Sequence, residues 1–155
     1  MIIINSQEYQ CWHEVGHSIA CMESGGYVES IELANSQGLP YLALAKCSSP
    51  GWKEQLHTAS GGLAVEIMLF NTRRIKITEE EFWHEAIYNS SYDRHKVCKE
   101  EDISEEECLQ LFIDYGKQLA NDFLPKIDKM ERVVKALIDQ QKLSGDEVAK
   151  IYNEL

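Results

Sequence analysis

The chain has 155 residues, 44% hydrophobic and 26% charged, with a formal net charge of −11. This is the composition of a folded domain long enough to bury its own core. The acidic balance argues against nucleic acid and anionic membrane surfaces as partners, and no apolar run approaches the length of a membrane span.

Asn5-Ser6-Gln7-Glu8 reads as a capping box with Asn5 as the cap. A helix is expected within 5–25, from about Ser6 to Glu23, stopped by Gly25-Gly26. Its middle carries Cys11-Trp12-His13-Glu14-Val15-Gly16-His17, which has the form His-Glu-x-x-His. Residues four apart share a helix face, so His13 and His17 can aim imidazole nitrogens at one metal ion. Glu14 follows the first histidine and can act as the base that zinc-assisted peptide hydrolysis needs. The plain alternative is a solvated helix that happens to carry two histidines. Gly16 permits close approach of another backbone, or is simply a tolerated glycine.

Residues 27–46 read as a small β element. Tyr27–Leu33 alternates with period two, Asn35-Ser36-Gln37-Gly38 has turn chemistry, and Leu39–Ala45 is expected as the return strand. Such a sheet either holds an extended peptide by strand addition or only covers the helix.

Over 50–72, Ser48-Ser49-Pro50-Gly51 opens a helix expected from Trp52 to Phe70. Its small residues Ala59, Ser60, Gly61, Gly62 and Ala64 imply close packing against another element. Glu66 sits among apolar neighbours and needs a partner. It is a metal ligand, a group that holds a ligand histidine, or a solvent-facing residue. In 78–99, Thr78-Glu79-Glu80-Glu81 caps a short helix ending near Asn89, and Asp93 opens the next, Tyr92 to Lys99. From 104 to 155 the pattern is helical, with caps at Ser104 and Ser144 and a break at Pro125.

The expected fold is therefore one mainly α domain of α+β class. It has a small hairpin or sheet after the first helix and a C-terminal helical bundle. Cys11, Cys21, Cys47, Cys98 and Cys108 are odd in number and form no Cys-x-x-Cys pair. Met1-Ile2-Ile3-Ile4 is too short for a signal peptide. Both points favour buried free thiols, no disulfide framework and a cytoplasmic location. Cys11 is singled out as a thiol two residues from a proposed ligand.

A catalytic zinc takes three protein ligands and a water. The third ligand is sought among His57, Glu66, His84, Asp93 and His95. Here His13-Glu14-Val15-Gly16-His17-Ser18 resembles the His-Glu-Ala-Gly-His-Ala signature of FtsH-type proteases, which are membrane-anchored, ATP-dependent zinc peptidases. Gly61-Gly62-Leu63-Ala64-Val65-Glu66 is similar to that family's Gly-Gly-Arg-Ala-Ala-Glu helix. Asn89-Ser90-Ser91-Tyr92-Asp93 resembles its Gly-Ala-Ser-Asn-Asp segment. The order is kept across nearly the whole chain, but only the peptidase half of the family is represented. A Walker motif and a membrane segment are absent, Leu63 replaces a basic residue, and Tyr92 replaces an Asn.

The resemblance implies a helical metallopeptidase domain with Zn2+ held by His13, His17 and Asp93. Glu14 would be the catalytic base, and Glu66 would hold a ligand histidine. It implies an ATP-independent zinc endopeptidase acting on peptides or unfolded protein, with a separate ATPase or a homo-oligomer as partner. Three rivals stand beside it. One is a retired peptidase that only binds zinc or peptide. Another is a different His-Glu-x-x-His class, such as a repressor-cleaving protease. The third is that no metal binds at all. Tyr41, His57, His84 and His95 are the candidates for a second oxyanion donor, with none favoured.

Overall fold

The computed structural model describes residues 1–34, 42–99 and 101–154. The chain is mainly helical, with a small three-stranded antiparallel sheet. In order it forms α1 (Gln7–Glu23), β1 (Tyr27–Leu33), β2 (Ala43–Ser48), α2 (Trp52–Asn71), α3 (Glu79–Asn89) and α4 (Ser91–Cys98). Then come α5 (Glu105–Phe123), α6 (Ile127–Gln140), β3 (Lys142–Ser144) and α7 (Gly145–Tyr152). A single 3-10 turn at Leu124–Lys126 carries Pro125 between α5 and α6. Among the described residues, no helix is long and apolar enough to cross a membrane.

α1 is the central element. Every residue from Cys11 to Cys21 is buried, which removes the reading of a solvated helix with two incidental histidines. The expected N-cap is corrected by one residue. Ser6, not Asn5, caps α1, its side chain accepting from the Tyr9 N–H at 3.2 Å. Asn5 instead adopts a left-handed conformation with φ 60°, a region that Asn tolerates better than most residues. That backbone turns its amide toward α3.

α2 crosses α1 at glycines. A Cβ built on Gly16 would overlap the Gly61 carbonyl oxygen and lie 2.6 Å from Val65 Cγ2. One built on Gly61 would overlap the Gly16 carbonyl and lie 2.8 Å from the Ala20 Cβ. The run of small residues thus brings the two backbones into direct contact, with the histidine face of α1 against α2. Leu63, where a basic residue would suit the FtsH pattern, is 1% exposed. It faces α5, where a Cβ on Gly116 would sit 3.2 Å from Leu63 Cδ2.

The sheet order is β2-β1-β3. β1 pairs with β2 from Tyr27↔Ser48 to Leu33↔Ala43, with an irregularity between Val28 and Ser30. The expected return strand is displaced: it occupies Ala43–Ser48, and Leu42 lies in a bend. The anticipated turn at 35–38 and the stretch 39–41 fall outside the described residues. The displacement has a physical cause. Among the described strands β2 lies at an edge of the sheet, so the polarity of Ser48, read from sequence as the start of a helix, is compatible with a ladder. β3, of three residues and pairing Ser30↔Ser144 and Glu32↔Lys142, was not expected.

The buried apolar side chains of α1, α2, α5 and α6 join the inner face of the sheet in one core. A further correction concerns the cysteines. Cys98 and Cys108 form a disulfide, with Cα atoms 6.4 Å apart. Cys98 ends α4 and Cys108 lies in the first turn of α5, ten positions further on. Cys11, Cys21 and Cys47 are free.

Candidate metal centre

His13 and His17 project from adjacent turns of α1 toward α2 and α4. They are 5% and 8% exposed. Each ring is fixed through Nδ1. His13 Nδ1 lies 2.6 Å from Glu66 Oε2, and His17 Nδ1 lies 2.8 Å from the Thr58 carbonyl oxygen. A carboxylate and a carbonyl only accept, so both rings carry their proton on Nδ1. In its neutral form each ring then presents a lone pair at Nε2, and the two Nε2 atoms face each other at 3.0 Å.

Asp93, on the first turn of α4, completes the cluster. Its Oδ2 is 3.5 Å from His13 Nε2 and 3.2 Å from His17 Nε2. Glu14 Oε2 lies 3.7 Å from His17 Nε2, while Glu14 Oε1 accepts from Gln10 at 3.4 Å. The buried His13, Glu14 and His17 form a group that could hold a metal ion.

The donor spacing fits one. Three ligands at about 2.0–2.1 Å from a tetrahedral zinc stand about 3.3 Å from one another. The observed separations of 3.0, 3.2 and 3.5 Å bracket that value. Charge gives a second argument. Among the described residues, no lysine or arginine forms a close ion pair with Glu14, Glu66 or Asp93, whose ion-pair partners are His13 and His17. Buried carboxylates without a cation are costly.

Without an ion, protons take its place. Burial disfavours the charged form of His13, but the hydrogen bonds to Asp93 and Glu66 outweigh it and raise its pKa well above the ordinary 6.5. His17 is raised in the same sense: burial opposes, and Asp93 prevails. Burial also works against the charge of Asp93, yet His17 and His13 hold its pKa well below the carboxylate range. Glu14 is raised, first by burial, with the histidines opposing. A carboxylate whose pKa is raised is a stronger base than an ordinary one.

Glu66 lies on α2 and is 0% exposed. Of its three sequence readings, the solvent-facing one is excluded, and the carboxylate lies against His13 Nδ1, away from the Nε2 donors. Its other oxygen, Oε1, accepts from Tyr9 Oη at 2.6 Å and from Asn89 Nδ2 at 2.9 Å. Both oxygens are thus occupied by protein donors.

Several partners of the site escaped the sequence reading. Tyr9 passed for an apolar core residue, although it stands one turn before His13 on the same face. Asn89 passed for a helix breaker. Gly62 belonged to the small-residue run without a specific role. A Cβ there would overlap His13 Nε2 and lie 2.5 Å from its Cε1, so the imidazole rests on the bare backbone of α2. The i, i+4 spacing of Tyr9 with His13, and of Gly62 with Glu66, was the available signal.

Among the other expected candidates, His57 Nδ1 is bonded to Tyr115 Oη at 2.8 Å, facing α5. His84 and His95 are exposed, and Tyr41 lies outside the described residues. The Cys11 thiol is pushed up to about 12, by burial first and then by Glu8 and Glu14. It is protonated at neutral pH and unsuited to nucleophilic work. Compared with known proteins, the chain matches no protein-family model and no curated protein sequence.

Proposed function

We propose that the chain is a zinc-dependent metallopeptidase of the FtsH type that hydrolyses peptide bonds. The observation that carries the reading is the convergence of His13 Nε2, His17 Nε2 and Asp93 Oδ2 at mutual distances of 3.0–3.5 Å. In this reading those three atoms hold the zinc, and Glu66 orients His13 from behind. When bound, the ion supplies a Lewis acid that polarises the scissile carbonyl and acidifies water toward neutral pH.

The protein's own residues do the rest. Glu14 Oε2, on the donor side of its carboxylate, takes the proton of the attacking water and delivers it to the departing amine. Gln10 holds Oε1, which fixes the direction of the other oxygen. The buried walls around His13 and His17 keep bulk water from competing for their Nε2 atoms. A purely structural zinc site would have no use for a buried carboxylate such as Glu14 beside the ligands, which weighs against a retired peptidase.

Substrates in this reading are peptides and unfolded segments, with folded proteins cut only when a separate ATPase or self-assembly feeds them. A cytoplasmic location rests on the free Cys11, Cys21 and Cys47. The Cys98–Cys108 pair points the other way, because disulfides persist in oxidising compartments. The test is casein hydrolysis by the purified protein. Cleavage is expected to stop with chelator and return with zinc. Glu14→Gln is expected to keep the metal and lose about 10²–10⁴ in rate. Undiminished cleavage by Glu14→Gln sinks the assignment.

A further inference from the structure

Asp93 lies near the start of α4, an element whose firm anchors are all at its other end. α4 has eight residues, no side-chain cap, and only Val97 and Cys98 buried, both in its last turn. Its first turn is open: Tyr92, beside Asp93, is 74% exposed. At the far end, the Cys98–Cys108 disulfide ties α4 to α5, and Trp52 Nε1 donates to the Val97 carbonyl at 3.0 Å. At the near end, Arg94 folds back onto the α3–α4 corner, donating to the Ile87 carbonyl at 2.7 Å and to Ser90 Oγ. These bonds shape the corner but do not attach it to the histidines.

Asn89, the last residue of α3, makes that attachment. Its Nδ2 has two protons, and both are used. One is donated to Glu66 Oε1 at 2.9 Å, the other to Asn5 Oδ1 at 2.8 Å. Asn5 in turn donates through Nδ2 to Glu85 Oε2 at 2.8 Å, one turn back on α3. One amide thus ties the corner before Asp93 to the carboxylate that orients His13, and to the left-handed residue before α1. Tyr9 also donates to Glu66 Oε1, but it lies on α1 and has no hold on the corner.

We propose that Asn89 is a positioning residue that sets Asp93 in register with the two histidines, so that the site closes as one unit rather than as a histidine pair and a loose carboxylate. The inference rests on the reading of the site as a metal centre. It separates two roles that the hydrogen bonds to Glu66 would otherwise share: Tyr9 supports His13 alone, and Asn89 supports His13 and Asp93 together. Asn89 touches neither metal nor substrate in this arrangement.

The experiment measures zinc affinity by chelator competition, and the visible absorption of the cobalt-substituted protein as a report on coordination. Both use the full chain as wild type, Asn89→Ala, Asn5→Gly and Tyr9→Phe. Asn5→Gly removes the amide while keeping the left-handed backbone free of strain. Loss of support around a ligand typically weakens metal binding about 10–100-fold. Asn89→Ala is expected at the upper end of that range with a changed cobalt spectrum, and Asn5→Gly should change the spectrum in the same direction. Tyr9→Phe should weaken zinc but keep the wild-type spectrum.

A wild-type protein that binds no zinc overturns the metal reading and the inference together. Wild-type binding, with Asn89→Ala and Asn5→Gly within twofold of it and spectrally identical, overturns the inference alone. Should Asn89→Ala not fold, Asn5→Gly decides by the same criterion.

Discussion

Gly62→Ala adds one methyl group at a place where the structure has no room for it. The new Cβ would lie 2.5 Å from His13 Cε1 and 2.8 Å from Cδ2, where unstrained carbon contacts are about 3.5–4.0 Å. The ring or the helix must therefore yield by about 1 Å. The ring has no free retreat, because its Nδ1 is 2.6 Å from Glu66 and Glu66 is held by Tyr9 and Asn89. Helix α2 has none either, since Gly61 next door already touches the backbone of Gly16.

The effect on stability is small because two terms oppose. Ala gains about 1 kcal/mol over Gly in a helix interior, and overpacking costs about 1–3 kcal/mol. The net loss is about 0–2 kcal/mol, a shift of a few degrees in Tm. The effect on the site is large. A displacement of about 1 Å in a reacting constellation costs about 10²-fold in rate, and disturbed ligand support costs about 10–100-fold in metal affinity. The assay pairs thermal melting with zinc titration by chelator competition and with casein turnover. A folded Gly62→Ala protein with wild-type zinc affinity and turnover would refute the claim that His13 rests on this glycine.

At the helix crossing itself, Gly16→Ala and Gly61→Ala each meet a backbone carbonyl as well as a side chain, Val65 and Ala20 respectively. They should cost about 2–3 kcal/mol, lowering Tm by several degrees in melting curves. A variant as stable as wild type would show that the backbones are not in contact. Stability against pH tests the metal-free cluster. The raised pKa values of His13 and His17 contribute stability that is full below 6.5 and lost as pH rises through the folded values. The depressed value of Asp93 contributes stability present above 3.8 and lost only as pH falls through its folded value. The raised value of Glu14 costs stability once pH exceeds 4.5. Chelated protein should therefore melt higher at about pH 5.5 than at about pH 8.5, and zinc should stabilise most at the higher pH, because binding displaces protons from the imidazoles. A chelated protein that melts higher at the alkaline end contradicts this sign.

Much of this arrangement was legible in the sequence because it follows from spacing along one helix. His13, Glu14 and His17 need only the helical repeat to share a face, and the run Gly61-Gly62 needs only its small size to predict close packing. The caps at Thr78, Ser104 and Ser144 were visible for the same local reason, and each side chain accepts the expected backbone N–H. What was not legible depends on contacts between distant segments. Asn89 and Asn5 are 84 positions apart, and nothing local to either predicts their bond. Ser6 displaced Asn5 as cap because Asn5 was required elsewhere with a left-handed backbone. β2 was misplaced because an edge strand does not impose strict alternation on its residues. The Cys98–Cys108 pair was missed because an odd count over the whole chain says nothing about two thiols brought together by one corner.

Zinc-edge X-ray absorption fine structure of the purified, metal-loaded protein tests the account's central claim most directly. The account predicts two imidazole nitrogens and oxygen donors at about 2.0–2.2 Å, with the oxygen shell reduced in Asp93→Ala. A sulfur shell at about 2.3 Å, a third imidazole, or a wild-type oxygen shell in Asp93→Ala would contradict it.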